Sequence, residues 1–248
     1  VSFSDAHSME KMGREATVLK TTNEKRITNN DITYDNILNS FVRGKERVFK
    51  IAYTIEFYPE EGKYHYTGHR LCNVSYTPSD DKAKGTICPV CHRPLTVGVM
   101  RRVDDLASRN SNNFKPRADE FGVTWMSATG GSASGGEDRP PYVSLVPLLE
   151  ILSECLNAGT SSMTVLSIFD RLINHFGSEH EVLFRVPVLE IRNVAGDRIA
   201  QGVQKVRTRN IKIVPGFDGE YGKVAIWNED GEDESQQKEE KAQLGLGF

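Results

Sequence analysis

Long apolar runs are missing from this chain of 248 residues. No stretch approaches the roughly 20 apolar residues of a membrane-spanning helix, and no basic segment followed by an apolar one opens the sequence as a secretion signal would. These absences argue against a membrane partner and a secretory route. With a mean hydropathy of -0.45, they predict a soluble, cytoplasmic protein.

Cysteine is also scarce, with four residues in the whole chain. Three of them, Cys72, Cys88 and Cys91, lie at spacings typical of metal ligands, and this use of cysteine favours a reducing compartment. The fourth, Cys155, lies among apolar residues in the stretch PLLEILSECLNA. We interpret Cys155 as an ordinary core residue of a predicted helix.

Two short pairs of metal-ligand residues face each other across a loop. They are His69-x-x-Cys72 and Cys88-x-x-Cys91, with fifteen residues between them. Two such pairs can close a tetrahedron around one zinc ion, and four protein ligands leave no open position for water. The sequence therefore predicts a structural Zn2+ site.

Alternatives to this zinc site stay open at the level of sequence. The four residues could share these spacings by chance, or Cys88 and Cys91 could form a redox pair. The identity of the histidine ligand is open too, because His65 and His92 lie close to His69. His92 directly follows a cysteine, where its ring and the thiolate would point apart.

The net charge of -3 conceals an uneven distribution of charge. Residues 229–241 contain seven acids and two bases, so the rest of the chain is slightly basic. Residues 93–117 contain six bases and two acids, and residues 185–212 contain seven bases and two acids. Such stretches could contact phosphate, although solvated faces explain the charge equally well.

Periodicity and capping residues predict the main elements. Asp35 is the expected cap of a first helix, and the β-branched and aromatic residues at 48–58 indicate a strand. Residues 163–176 have the apolar spacing of a helix that Gly177 can end. We also predict a short helix at 103–109, a flexible linker at 127–136, a helix at 143–156, a β-rich stretch at 182–227 and disorder at 228–242.

The amino-terminal corner carries a second possible metal motif. Val1, Ser2 and Phe3 are predicted to end a strand, and Asp5-x-His7 follows directly. Side chains two residues apart on extended backbone point the same way, and a carboxylate with an imidazole suits zinc, manganese or iron. Because no strand and no initiating Met precede this corner, we expect the chain to be the carboxy-terminal part of a longer polypeptide.

In this context, the stretch SDAHSMEKMGREATVL resembles the final metal motif of the polymerase-and-histidinol-phosphatase (PHP) superfamily. More narrowly, the chain resembles the endonuclease Q family over most of residues 2–227. The matching stretches, in order, are SDAHSMEKMGRE, TIEFYPEEGKYHYTGHRLCNVSYTP, CPVCHRPLTVGV, RPPYVSLVPLLEIL, FGSEHEVL and VPGFDGEYGKVAIW. Several ordered matches are more specific than any single motif.

The resemblance implies a multidomain fold that combines α/β and α+β domains. The implied segments are the end of a metal-dependent PHP phosphoesterase barrel at 1–57, a small zinc-knuckle module at 58–110, a linker or long loop at 111–139, a helical domain with a β-rich extension at 140–228 and a disordered acidic tail at 229–248. The implied activity is DNA repair: a metal-dependent endonuclease that nicks 5′ to uracil, hypoxanthine or xanthine, or at abasic sites.

The resemblance also implies roles for individual residues. Asp5 and His7 match the last two ligands of a catalytic cluster of divalent ions, such as Zn2+, Mn2+ or Mg2+, and the two zinc pairs match the family's second module. Arg14 matches a Gly-Arg-Glu run and is expected near substrate phosphate or the metal loop, with an ordinary surface ion pair as the alternative. The family's earlier ligands, beginning with His-x-His, are absent, so we expect this chain alone to be inactive.

The positions of the positive charges suggest which basic side chains would bind DNA that contains a deaminated nucleobase. These substrate-binding candidates are Arg101, Arg102, Lys205, Arg207 and Arg209. Such non-specific phosphate contacts weaken steeply with salt. The segment 110–138 is longer than the family leads us to expect, and its role stays open.

The chain ends in Gln243, Leu244, Leu246 and Phe248, interleaved with glycines after the acidic stretch. This end resembles the short peptide that bacterial repair proteins insert into the sliding clamp, which makes the clamp a possible partner. A mildly apolar, frayed terminus is the alternative.

Two other functions are compatible with the sequence. The chain could be a non-catalytic, zinc-stabilised module that binds DNA or the clamp. It could also belong to a different PHP phosphoesterase that acts on a small phosphate ester, because one fold can serve several chemistries.

Overall fold

The structure, a computed structural model, describes residues 1–9, 12–22, 27–42, 47–107, 114–128 and 140–227. The chain divides into two compact units. The sheet unit comprises Val1–Tyr58 and Leu106–Pro147, and the knuckle–helix unit comprises Pro59–Asp105 and Leu148–Phe248. The predicted zinc module and the predicted carboxy-terminal domain therefore fall largely within one unit.

The described residues form strands, helices and three short 3₁₀ turns. The strands are β1 (Ala16–Thr21), β2 (Phe49–Glu56), β3 (Thr67–His69), β4 (Val74–Tyr76), β5 (Phe114–Ala118), β6 (Thr124–Ala128), β7 (Tyr142–Ser144), β8 (Lys212–Val214) and β9 (Lys223–Ala225). The helices are α1 (Tyr34–Ser40), α2 (Pro78–Lys84), α3 (Val99–Leu106), α4 (Leu148–Leu156), α5 (Met163–Phe176), α6 (Glu179–Phe184), α7 (Val188–Ala195) and α8 (Asp197–Arg207).

The sheet unit contains a mixed five-stranded sheet with the order β1-β2-β7-β6-β5. Strand β2 pairs antiparallel with β1 and parallel with β7, and β6 pairs antiparallel with β7 and with the edge strand β5. The side chains of Ile55 and Val143 lie opposite each other and are buried, which explains why β2 is rich in apolar residues. The strand predicted at 48–58 is confirmed as β2.

Helix α1 forms where a helix was predicted, but its cap differs. Thr33 has an extended backbone and its side-chain oxygen accepts a hydrogen bond from the backbone N–H of Asn36 at 3.2 Å. Asp35 lies inside the first turn instead, where a carboxylate still favours the positive end of the helix dipole. The prediction of Asp35 as the cap is therefore wrong by two residues.

The predicted linker at 111–139 is wrong for its central part, because β5 and β6 form an antiparallel hairpin of the sheet. Asp119 builds the turn between them: one carboxylate oxygen accepts the backbone N–H groups of Phe121 and Val123 at 2.9 Å each. The other oxygen accepts the indole N–H of Trp125 at 2.8 Å. The predicted flexible run at 127–136 begins inside β6, and its remainder lies outside the described residues.

In the knuckle–helix unit, β3 and β4 form a short hairpin and α2 follows it. Thr77 and Asp80 close a capping box at the start of α2. Helix α3 starts at Val99 rather than at the predicted residue 103, and Arg101 pairs with Asp105 one turn later. The pattern-based boundary missed the first turn because that turn lacks buried residues.

The carboxy-terminal helices follow the prediction only in part. Helix α5 has the predicted bounds, and Gly177 ends it with a φ of 92°. Helix α4 begins at Leu148 instead of residue 143, because Tyr142–Ser144 joins the sheet as β7.

No helix within the described ranges combines the length and apolar character needed to cross a bilayer.

The predicted β-rich stretch at 182–227 is wrong over most of its length. Helices α6, α7 and α8 occupy residues up to Arg207, and β8 and β9 are the strands in the described part of this stretch. The β-branched residues that suggested strands recur at helical spacing in α8, where Ile199, Val203 and Val206 are all buried. Burial of one helix face outweighs their intrinsic preference for strands.

Arg207 is a structural residue and not an exposed DNA contact. Its side chain is only 4% exposed, and its guanidinium donates to the backbone carbonyls of Leu183, Val182 and Val186 at 2.7–2.9 Å. Two of these carbonyls belong to the last turn of α6, which lacks intrahelical donors. The prediction that Arg207 binds substrate is therefore wrong, because charge in a sequence does not reveal burial.

We expect Arg207→Met to lower the free energy of unfolding by about 3 kcal/mol, because three carbonyls lose a donor. Urea denaturation followed by circular dichroism measures the change. Arg102→Met is the matched control, since Arg102 is exposed, and should change stability by less than about 0.5 kcal/mol. Equal stabilities for the two variants would contradict the structural role of Arg207.

Candidate metal centre

Four side chains converge in the knuckle–helix unit. The candidate ligand atoms of His69, Cys72, Cys88 and Cys91 all lie within 4.8 Å of one another. His69 is the last residue of β3, and Cys72 ends the short 3₁₀ turn Arg70–Cys72. The two predicted ligand pairs are therefore brought together.

The second pair sits in its own tight turn. The backbone N–H of Cys88 donates to the carbonyl of Arg93 at 2.8 Å, and the N–H of His92 donates to the carbonyl of Cys88 at 2.9 Å. His92 takes up a left-handed conformation with a φ of 59° to close the turn. Cys88 is fully buried, whereas Cys72 and Cys91 are partly exposed.

A backbone bridge holds the two turns beside each other. The N–H of Gly68 donates to the carbonyl of Thr96 and the N–H of Thr96 donates to the carbonyl of Gly68, both at 2.9 Å. A Cβ on Gly68 would come within 2.6 Å of the carbonyl oxygen of Val74 and 2.5 Å of Phe217. Only glycine permits this approach, so Gly68 has a packing reason to precede the ligand His69.

The geometry also resolves which histidine faces the cysteines. The Nδ1 atom of His69 lies 3.3 Å from the Sγ of Cys91. His65 is buried, and its Nδ1 is within 2.9 Å of the carbonyl oxygen of Pro59. His92 is exposed and forms no part of the converging group. His65 therefore supports the fold and His92 shapes a turn.

The chemistry of the group suits a zinc ion. Burial and the two neighbouring thiols raise the pKa of Cys72 to about 11. Burial alone would also raise the pKa of Cys88, but backbone hydrogen bonds with Cys91 and Val90 and the side chain of His69 lower it to about 6. A thiolate forms readily at Cys88, and an ion with one nitrogen and three sulfur ligands would be held tetrahedrally.

A buried polar network lies next to the two turns that carry the candidate ligands, here called the metal turns (residues 67–76 and 86–96). Asp81 is 1% exposed; it accepts a hydrogen bond from the hydroxyl of Thr67 at 2.6 Å and pairs with Arg101 at 3.0 Å. The Thr67 hydroxyl in turn accepts the N–H of Gly98 at 3.0 Å. Arg101 therefore neutralises a buried carboxylate, which gives it a structural role, and its predicted contact with DNA stays a prediction.

The amino-terminal corner differs from its prediction. Residues 1–6 form no strand, and Asp5 has a φ of 46°. The carbonyl oxygen of Asp5 lies 2.7 Å from the Nδ1 of His7. The argument from extended backbone therefore fails, because this stretch is a bend. Within the part of the chain that the structure describes, Asp5 and His7 belong to no group of three metal ligands.

Two carboxylates and a serine lie next to this corner. The Ser2 hydroxyl donates to Glu56 at 3.0 Å, and the Ser2 backbone N–H donates to the hydroxyl of Thr17 at 2.8 Å. Burial and the charge of Glu56 raise the pKa of Glu15 above its ordinary value. The guanidinium of Arg14 lies 5.6 Å from the centroid of the Phe57 ring, a cation–π contact within the sheet unit. The positive charge of Arg14 partly offsets the rise in the pKa of Glu15.

The other predicted site residues have varied surroundings. Lys205 lies 5.0 Å from the centroid of the Trp227 ring, and Arg198 lies 4.2 Å from the same ring. Arg102 is exposed, and Arg209 is half-buried with a φ of 57°. The predicted clamp-binding residues Gln243, Leu244, Leu246 and Phe248 lie outside the described residues.

Three comparisons with known proteins agree with this architecture. A family model described as the MJ0043 C-terminal domain matches residues 147–210. The uncharacterized protein MJ0043 of Methanocaldococcus jannaschii is 27% identical over 228 residues, which cover 91% of this chain and 25% of that protein. The solved structures that resemble the chain define a class of lesion-specific endonucleases.

The particular structures are those of endonuclease Q. The crystal structure of the lesion-specific endonuclease PfuEndoQ from Pyrococcus furiosus matches with a TM-score of 0.67 and 28% identity, over 95% of this chain and 51% of PfuEndoQ. Endonuclease Q in complex with a 27-mer duplex substrate, with an abasic lesion at the active site, matches with a TM-score of 0.62 and 29% identity, over 91% of this chain and 49% of that one.

The resemblance to endonuclease Q that the motifs predicted is confirmed. The chain spans about half the length of these solved relatives and a quarter of the curated relative. The similarity therefore concerns about half of an endonuclease Q fold.

We expect His69→Ala to weaken zinc binding more than about 100-fold, since loss of a ligand exceeds the 10–100-fold cost of outer contacts. Competition with a chromophoric chelator measures the affinity. His92→Ala is the matched control and should bind zinc like the unaltered chain, because its side chain is exposed and outside the group. A larger loss in His92→Ala than in His69→Ala would show that the wrong histidine has been assigned.

Proposed function

We propose that this chain is the DNA-gripping part of a DNA repair endonuclease that nicks 5′ to deaminated bases, such as uracil, hypoxanthine and xanthine, or at abasic sites. The observation that carries the proposal is the match of 95% of the chain to PfuEndoQ with a TM-score of 0.67. The convergence of His69 with the three cysteines adds support, because it falls on the residues that match the family's zinc module.

The metal turns offer a surface suited to DNA. Residues 62–79 and 82–103 contain seven lysines and arginines and no acid, while the intervening Asp80 and Asp81 pair with Lys84 and Arg101. Leu71 and Val90 each directly precede a cysteine ligand and are 79% and 64% exposed. Apolar side chains of this kind can enter a base step that a lesion has weakened.

Two arginines flank these apolar side chains. Arg70 and Arg93 are both exposed, and a zinc ion bound by the four ligands would fix the turns that carry them. We therefore assign phosphate contacts to Arg70 and Arg93 in place of the buried Arg207 and the paired Arg101. Sequence reasoning missed both residues because each lies among ligand residues in a metal motif.

The catalytic chemistry belongs to a second metal cluster, to which we assign Asp5 and His7 on the strength of their motif. Divalent ions held by Asp5, His7 and further ligands would supply an activated water and neutralise charge on the phosphate oxygens. Both side chains are exposed in this chain, so they are accessible to further ligands. Access to the deaminated edge requires the base to leave the stack, because that edge is hidden in a duplex.

A non-catalytic module is the second candidate. Among the described residues, the group of potential metal ligands consists of His69 and the three cysteines of the knuckle–helix unit. Asp5 and His7 have no third metal ligand close to them in these residues, which favours a module without a catalytic metal cluster. Such a module would bind damaged duplexes through the knuckle surface, formed by residues 62–79 and 82–103, without cutting them.

We expect the natural gene product that carries this chain to nick a duplex 5′ to a single deoxyuridine, deoxyinosine or abasic site and to leave an undamaged duplex intact. Gel analysis of labelled strands measures the nick. His7→Ala should abolish nicking, while the exposed-histidine control His175→Ala should retain it. Lesion binding without any cleavage would favour the non-catalytic module instead.

Replacing both Arg70 and Arg93 with Ala should weaken duplex binding and reduce the slope of log affinity against log salt by about 1.8, because two phosphate contacts are lost. Fluorescence anisotropy between low and moderate salt measures the slope. The control replaces Arg185 and Arg192, exposed cations outside the metal turns that already pair with Glu181 and Asp197. A slope equally altered in both double variants would contradict the assignment of the knuckle surface.

A further inference from the structure

The loop between β8 and β9, residues 215–222, lies against the metal turns although it is far from them in sequence. Four backbone hydrogen bonds join it to residues 60–66. They run from Tyr66 N–H to Gly216 O at 3.0 Å, from Gly216 N–H to Glu60 O at 2.8 Å, from Gly219 N–H to Lys63 O at 2.9 Å and from Gly222 N–H to Glu61 O at 3.0 Å. The loop is therefore part of the same packed body.

Glycines make this approach possible. A Cβ on Gly222 would come within 2.0 Å of the carbonyl oxygen of Glu60, and a Cβ on Gly216 within 2.5 Å of that of Gly62. No side chain could occupy either position without moving backbone. Two glycines of the loop PGFDGEYG, Gly216 and Gly222, are thus required by its contact with residues 60–62.

Asp218 extends this contact to both metal turns. Its Oδ2 accepts the backbone N–H of Arg70 at 2.8 Å, directly after the ligand His69. Its Oδ1 accepts a hydrogen bond from the hydroxyl of Thr96, in the segment that follows the ligand Cys91. Thr96 also forms the backbone bridge with Gly68. One carboxylate therefore ties down the backbone beside each ligand pair.

The backbone at Asp218 favours the residue types that can do this. Its φ is 46°, a left-handed conformation that Gly, Asn and Asp tolerate best. Asn and Asp alone among these carry a side-chain oxygen at the required reach. The position therefore selects a residue that can accept the Arg70 N–H.

We propose that Asp218 is a positioning residue of the metal centre, and that the functional metal module includes the loop 215–222 as a clasp across its two turns. The clasp reinforces the backbone bridge between Gly68 and Thr96 and so helps to hold the spacing of the ligand pairs before the ion arrives. This inference does not depend on the proposed nuclease function, because it concerns the affinity and geometry of the metal site itself.

The role that we assign to Asp218 rests on its hydrogen bonds and not on attraction to the ion. Three thiolates, a neutral imidazole and Zn2+ carry a net charge of -1, so another nearby anion adds no attraction. Asn at position 218 keeps the left-handed conformation and an oxygen that can accept the Arg70 N–H, whereas Gly keeps the conformation and removes the side chain. The two substitutions therefore separate the clasp from backbone strain.

The test measures zinc and cobalt affinity in the full chain by competition with a chromophoric chelator. Asp218→Gly should bind both ions about 10- to 100-fold more weakly, the usual cost of losing a contact that orients ligands. Asp218→Asn should stay within about threefold of the unaltered chain. Asp119→Gly is the matched control: it removes a turn carboxylate in the sheet unit that accepts three hydrogen bonds, one more than Asp218, and it should leave metal affinity unchanged.

The absorption spectrum of bound Co2+ gives a second readout that a general loss of stability would not move. In Asp218→Gly, the ligand-field bands should shift and the thiolate-to-cobalt bands should weaken, because the ligand pairs lose their fixed spacing. An unchanged affinity and spectrum in Asp218→Gly would overturn the proposal. So would an equal loss of affinity in Asp119→Gly, or a loss in Asp218→Asn as large as in Asp218→Gly.

Discussion

Metal ligands on two separate turns can share one ion only if the backbone holds those turns in a fixed register. In this chain the register is set by the reciprocal hydrogen bonds between Gly68 and Thr96. They place His69 and Cys72 opposite Cys88 and Cys91, so that four donor atoms fall within 4.8 Å. The absence of a side chain at Gly68 and the buried carboxylate of Asp81 both serve this register.

The same structure divides the basic residues between fold and partner. An arginine that donates to three buried carbonyls, as Arg207 does, satisfies the end of a helix and is itself too buried to meet a phosphate. Arg101 neutralises Asp81, while Arg198 and Lys205 lie over the ring of Trp227. Arg70 and Arg93, which lie in the metal turns, are exposed instead.

Local patterns predicted what depends on local spacing. The ligand pairs, the helix Met163–Phe176 and the strand Phe49–Glu56 follow from intervals of two to four residues, which the sequence displays directly. The segment after residue 182 was misjudged because β-branched residues suit a strand and a buried helix face alike. Only the tertiary contacts of α8 with its neighbours decide between these two states.

Long-range contacts explain the remaining failures. Asp218 lies more than a hundred positions from Arg70 and Thr96, so no window of sequence could relate them. The bend at Asp5 removes the extended backbone on which the ligand argument rested. The hairpin at 114–128 was hidden because its strands are short and polar, and its turn is defined by one aspartate.

Among the described strands, β5 ends the sheet on one side, and it carries Lys115, Pro116 and Arg117 opposite β6. An open sheet margin is normally a template on which another polypeptide can add a strand, and such addition leads to aggregation. Proline offers no amide hydrogen, and two neighbouring cations repel a copy of themselves. The residues of β5 therefore disfavour the addition of a second copy of this strand at that edge.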